Sequence, residues 1–252
     1  TGKCENCGAW NSLIESAPES EGKSAIARSA GRSLKVEKLA DIVTDQASGR
    51  LSTGINDLDE VLGGGLMPGG VALVAGQPGI GKSTLLLQVA AAIAKNQEVL
   101  YISGEESAAQ VKLRAVRLGA NDKENLSLVS STNADDVAAT IASGKFKLAI
   151  VDSIQTMSMA EIASAPGTVS QITNSSNIII RAAKSTDTAV LLVGHVTKEG
   201  SIAGPKILEH IVDVVLNFEG DRYGGFKLVR AIKNRYGSTL EVAIFAMTEK
   251  GL

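Results

Sequence analysis

Gly76-Gln77-Pro78-Gly79-Ile80-Gly81-Lys82-Ser83-Thr84 has the spacing GxxxxGK[ST], with the apolar run Val71 to Ala75 leading into it and a helix-forming run following at once. Glycines at those positions let the backbone curl until successive N–H groups point inward at one anion, and a helix from about Ser83 adds its positive end. Such a loop is built for a polyphosphate. Lys82 is expected to reach the β and γ phosphates, Ser83 to place its hydroxyl on Mg2+, and Thr84 to cap the helix or touch the α phosphate. Chance supplies this pattern in roughly one chain in a hundred of this size, and less often between a strand and a helix.

Two carboxylate positions complete the chemistry. KLAIVDS carries Asp152 at the tip of a buried strand, where a carboxylate can hold a magnesium-bound water. An aspartate ending a strand is also a common turn or cap residue, and the phosphate loop tips the balance toward the metal. EVLYISGEES puts Glu105 and Glu106 after a second strand. Glu106 suits a solvated carboxylate at a helix start. Glu105, nearest the strand tip, is placed to orient and deprotonate the water that attacks the γ phosphate. ATP or ADP with Mg2+ is the ligand these residues imply. Cys4 and Cys7 are the only cysteines and form a CxxC, which suggests a metal knuckle or a redox pair and excludes a disulfide framework.

The elements that must position these residues follow from the apolar pattern. Short β-branched runs at 71–76, 98–104, 126–130, 147–153 and 188–195 alternate with helical patterns at 84–95, 107–119, 133–144 and about 171–186. Near-continuous apolar strands separated by amphipathic helices predict an α/β fold, a mostly parallel sheet with helices on both faces. After Ile211 come VVLNFEG, FKLVRAIKN and EVAIFAMTE with DRYGG between the first two, which predicts antiparallel strands at the C-terminal end of the sheet. Residues 16–35, rich in Ser, Ala, Gly and charge, cannot bury enough surface to offset their ordering entropy. The expected organisation is therefore a cysteine-bearing segment at 1–12, a flexible linker at 13–38 and one large domain at 39–252.

Composition sets the outer bounds. The 252 residues are 44% hydrophobic and 3% aromatic, with 25 Lys plus Arg against 27 Asp plus Glu, so no global positive field draws the chain to nucleic acid or membrane. No apolar run approaches the roughly 20 residues of a membrane span, and no secretory signal opens the sequence. A cytoplasmic protein with no membrane partner is expected.

TGINDLDEVLGGGLMPGGVALVAGQPGIGKST, YISGEES, LAIVDS, LLVGHVTKEGSIAGPKILEHIVDVVLNFEGDR and KNRYG together resemble the bacterial RadA (Sms) family of RecA-like ATPases of recombination and repair, densely over about 40–252. The first three blocks are shared by the wider RecA and replicative-helicase superfamily. The GHVTKEG…AGP…LEH…D block and a KNRFG-type motif, here Lys233-Asn234-Arg235-Tyr236-Gly237, are specific to RadA. Two departures make the sequence resemble a core fragment. The family's four-cysteine zinc finger is represented only by Cys4 and Cys7, half a Zn2+ site, and its Lon-protease-like C-terminal domain would begin after Leu252. At Leu240 to Met247 extra apolar residues replace the family's usual polar ones, which reads as a packing change.

The resemblance implies a DNA-dependent, helicase-like ATPase that assembles as a homo-oligomer, a hexameric ring on single-stranded DNA, and works with the RecA recombinase in branch migration. It implies that Lys233 and Arg235, two cations read as lying on alternate faces of a strand end, complete a neighbouring subunit's site in trans. His195 at a strand tip would sense the γ phosphate, whereas an isolated histidine is more often structural. His210, on an apolar helical face, reads as core or interface. DNA contacts would come from two flexible segments, about 157–171 and 198–206, the second bearing Lys198 and Lys206; few aromatics argue against base stacking and for phosphate contacts. Two other functions fit the same motifs. One is a signalling or clock-type ATPase switching protein partners, indifferent to DNA; the other is a nucleotide-gated scaffold without appreciable turnover.

Overall fold

Apolar runs without polar alternation belong in strands buried on both faces, and the chain places them at the centre of one sheet. The computed structural model describes residues 36, 38–41, 49–195, 207–220, 225–249 and 251–252. The chain divides at Thr44 and Asp45. Of the first unit the described part is a 3-10 turn, Leu39–Asp41. The second carries the strands β1 (Val71–Gly76), β2 (Val99–Ser103), β3 (Leu126–Ser130), β4 (Leu148–Asp152), β5 (Ala189–His195), β6 (Val214–Gly220), β7 (Phe226–Asn234) and β8 (Val242–Ala246). Their order is β3-β2-β4-β5-β1-β6-β7-β8. The strands from β3 through β6 run parallel, and β7 and β8 are antiparallel additions, as the sequence pattern predicts.

Helices cover both faces. On one side α1 (Asn56–Val61), α2 (Lys82–Ile93) and α3 (Ala108–Arg117) pack Leu58, Leu86, Val89 and Val111 against Val74, Tyr101, Ile150 and Leu191. On the other, α4 (Ala134–Ala142), α5 (Val169–Thr186) and α6 (Ile207–Ile211) pack Val137, Ile141, Ile179 and Leu208 against Leu73, Ile102, Val151 and Leu192. The two sides take alternate residues of the same strands because successive side chains point to opposite faces. Helix starts follow local capping chemistry: Ser107 and Gln110 form a capping box at α3, Asn133 caps α4, and Thr168 caps α5.

Three expectations change. Residues 157–171 are not a flexible loop, because the buried Gln171 side chain threads them onto α5. Its Oε1 accepts from Met159 N at 2.9 Å, and its Nε2 donates to the carbonyls of Met159, Ile162 and Ser164 at 3.2, 3.0 and 2.9 Å. Of the two readings of His210, core or interface, exposure removes the core. In the Leu240 to Met247 stretch, packing accounts for Ala243 and Phe245, which enter the core, but Leu240, Val242 and Ile244 face outward, and nothing in the structure explains them.

Candidate active site

Strand register assembles the site. Gly76 at the tip of β1 pairs with His195 of β5 on one side and Phe218 of β6 on the other. Ser103 of β2 pairs with Asp152 of β4, bringing the Glu105 turn beside the β4 tip. The loop after β1 therefore opens at the carboxyl ends of parallel strands, where an α/β sheet binds ligands. Glycine is required twice here. A Cβ on Gly76 would lie 2.6 Å from the Phe218 carbonyl, and Gly81, the residue before α2, has φ 117 and would press a Cβ to 2.9 Å from the Met247 methyl.

Lys82 is buried at the first turn of α2, where its amine donates to the Gly76 carbonyl at 2.8 Å and the Gln77 carbonyl at 3.0 Å and faces His195 Nδ1 at 3.3 Å. Burial pulls its pKa down from 10.5 to about 8, with Asp152 and Glu105 opposing the shift. His195 Nε2 lies 2.9 Å from Glu105 Oε1. A neutral imidazole with its proton on Nε2 satisfies both contacts, accepting from Lys82 and donating to Glu105. Glu105 also accepts from Ser153 Oγ. The His195 hydrogen bond is the main reason its pKa falls to about 2, against the opposing effect of burial, and the Ser153 bond and the charge of Lys82 add to it. Held ionised, Glu105 is a hydrogen-bond acceptor at the mouth of the loop. Glu106 is tied to Arg114 instead, in an ion pair rather than in solvent.

Asp152 is buried, and its Oδ2 accepts from the Tyr101 hydroxyl at 2.6 Å. Burial and the adjacent carboxylate hold the Tyr101 phenol well above its usual pKa, so it remains a donor and fixes the Asp152 side chain. Among the described residues no group of three or more His, Cys, Asp or Glu converges. Magnesium bound together with phosphates takes only one or two protein oxygens, and the Ser83 hydroxyl and Asp152 carboxylate are hard donors of that kind.

Lys233 and Arg235 lie elsewhere. The end of β7 pairs with the start of β6, Asn234 with Val214, and Val214 pairs with Ala72 near the start of β1. That is the opposite end of the sheet from Gly76, roughly 13 Å along β1 at 3.3 Å per residue. Arg235 lies one residue past β7, and instead of the expected alternate placement both cations meet the α6–β6 corner. Lys233 Nζ donates to the carbonyls of Glu209 at 2.6 Å, Val212 at 2.7 Å and His210 at 3.4 Å, while Arg235 pairs with Asp213 at 3.1 Å. Burial foremost, then Arg235 beside it, lowers the Lys233 pKa. Cys4, Cys7, Lys198 and Lys206 lie outside the described residues.

Sequence reasoning missed Tyr101, Ser153 and Asp213. Tyr101 sits in an apolar strand and Ser153 in a turn, so neither stands out. Asp213 carried a signal, a carboxylate inside the apolar run ILEHIVDVVLNF.

The family model described as an AAA domain matches residues 37–201. The whole chain is similar to proteins named DNA repair protein RadA, at 44% identity in Pseudomonas aeruginosa and 46% in Listeria monocytogenes and Bacillus subtilis. It covers 55% of each relative, so it spans about half their length. Among solved structures, a RadB recombinase superposes with a TM-score of 0.62 at 23% identity, over 80% of this chain and 97% of that one. That likeness is one of fold, the RecA-like sheet with its helices.

Proposed function

The chain belongs to the AAA domain family, and we propose that it is a DNA-dependent, helicase-like ATPase of DNA repair and recombination. In this reading it is a motor that forms a hexameric ring on single-stranded DNA and, with a RecA recombinase, promotes branch migration of recombination intermediates. The observation that carries the reading is the meeting of Lys82, His195 and Glu105 within hydrogen-bonding reach beside the GxxxxGK[ST] loop. Similarity to proteins named for DNA repair supports the DNA substrate.

The loop amides and the Lys82 amine hold the β and γ phosphates, the amine exchanging the carbonyls of Gly76 and Gln77 for phosphate oxygens. Ser83 and Asp152 hold Mg2+, which when bound offsets the phosphate charge. Glu105 accepts a hydrogen bond from the attacking water, aligns it with the γ phosphorus and takes its proton as the new oxygen–phosphorus bond forms and the bond to the leaving ADP breaks, giving ADP and phosphate. His195 contacts both Lys82 and Glu105, so a γ phosphate that draws Lys82 away removes the donor from Nδ1 and is sensed there. Lys198 and Lys206 meet DNA phosphates. Lys233 and Arg235, too far from their own loop, complete the site of the next subunit.

The test is the hydrolysis rate with and without single-stranded DNA, alongside the assembly mass in ADP. Stimulation by DNA and a ring mass are expected. A rate indifferent to DNA would point to a switch acting on protein partners, and normal turnover by Lys82→Ala would remove the assignment of the site.

A further inference from the structure

Asp213 is buried at the corner between α6 and β6, and the side-chain and amide groups bonded to its carboxylate are all donors. Its Oδ2 accepts from Val71 N at 3.0 Å and from Lys184 Nζ at 3.3 Å, and its Oδ1 accepts from Arg235 Nη1 at 3.1 Å. Burial first, and then the negative charge of Asp213, push the Tyr236 phenol up to about 12. The Arg235 amide donates to the Asp213 carbonyl at 3.1 Å, so backbone and side chain of Arg235 are anchored on one residue.

A buried carboxylate needs a partner, but one cation would balance its charge. Here two share it, and Lys233 sits on the carbonyls immediately before it. Lys184 offsets the carboxylate, so the guanidinium keeps its attraction for a further anion. The Arg235 side chain is also 54% exposed although one nitrogen is fixed, an arrangement that presents the group instead of burying it. The anchor also removes in advance part of the rotamer entropy that a free arginine side chain would lose on meeting an anion.

We propose that Asp213 is a positioning residue for catalysis in trans: it holds Arg235 in the orientation that meets the γ phosphate bound by the neighbouring subunit. This rests on the completion in trans proposed above. Asp213 touches no nucleotide in this arrangement and acts only through Arg235.

The experiment measures ATP hydrolysis by the assembled protein on single-stranded DNA for Asp213→Asn, for Arg235→Ala, for the double variant, and for each single variant mixed with Lys82→Ala. Asp213→Asn should lower kcat about a hundredfold, the effect of misplacing a catalytic group by about 1 Å, with KM for ATP within about twofold because its own phosphate loop is intact. It should cost nothing further in the Arg235→Ala background. Mixing with Lys82→Ala should restore turnover for both single variants, since the Lys82→Ala subunit still offers an anchored Arg235 to an intact loop. Full activity of Asp213→Asn, an additive loss in the double variant, or a failure of Asp213→Asn to be rescued where Arg235→Ala is rescued would overturn the role of Asp213 and leave completion in trans standing. No rescue of either variant despite co-assembly would bring down both. Should the asparagine variant not fold, Asp213→Glu keeps the charge and moves the carboxylate by one methylene; a severalfold loss of kcat at unchanged KM is expected, and unchanged kcat overturns the proposal.

Discussion

Burial of the Lys82 amine makes nucleotide binding depend on pH in a range where an ordinary lysine is silent. The group that should grip the phosphates titrates at about 8 instead of 10.5. Phosphate oxygens bind the ammonium, so only the protonated fraction is competent and the apparent dissociation constant rises as its inverse. The expected weakening is about twofold at pH 8 and about tenfold near pH 9, with close to one proton taken up on binding at the higher pH. Stability shifts the opposite way. Because the folded pKa is depressed, the folded protein holds fewer protons on this amine than the unfolded chain between about 8 and 10.5, and this group's contribution to stability improves as pH climbs through that window. Weaker binding by a protein that has not lost stability separates this cause from alkaline unfolding. Calorimetric titration with a non-hydrolysable ATP analogue, in buffers of different ionisation heat, reads affinity and proton uptake together. Lys82→Arg is the control, since a guanidinium stays charged throughout and whatever affinity remains should not decline. Affinity that stays level from about pH 7 to pH 9 would refute the argument that burial has lowered this amine.

Glu105→Gln should cut kcat by about 10² to 10⁴ while keeping nucleotide affinity, whereas Glu106→Gln, which only breaks the pair with Arg114, should change stability by about 1 kcal/mol or less and leave turnover in place; the reverse result would mean that the wrong carboxylate was chosen. Gln171→Leu should destabilise the protein by about 1–3 kcal/mol in a denaturant titration, because the Met159 amide and three carbonyls lose their partner, and an unchanged midpoint would show that segment to be held by other means. Affinity for single-stranded DNA should rise with the ATP analogue and fall with salt, with a log–log slope of about −0.7 per phosphate contact; equal affinity with and without nucleotide would argue against coupling between the sites.

The phosphate loop was legible because it is local: glycine spacing, one lysine and one hydroxyl must be contiguous for the backbone to wrap an anion. The parallel sheet was legible for a related reason, since β1, β2, β4 and β5 are buried on both faces and cannot tolerate polar alternation. Even the antiparallel additions β7 and β8 showed as strands without intervening helices. What tertiary structure alone decided are the pairings between distant segments. His195 stands 90 residues from Glu105 and 113 from Lys82, and only the strand order β4-β5-β1 sets it between them. The same holds for Tyr101 on Asp152 and for Arg235 on Asp213, contacts whose spacing follows no helical or strand period. Gln171 illustrates the limit most clearly. Its sequence neighbours suggested a free loop, and whether an amide side chain binds four backbone groups or points to water depends on which chain folds over it, a choice made by the packing of the whole domain and by no property of the residue itself.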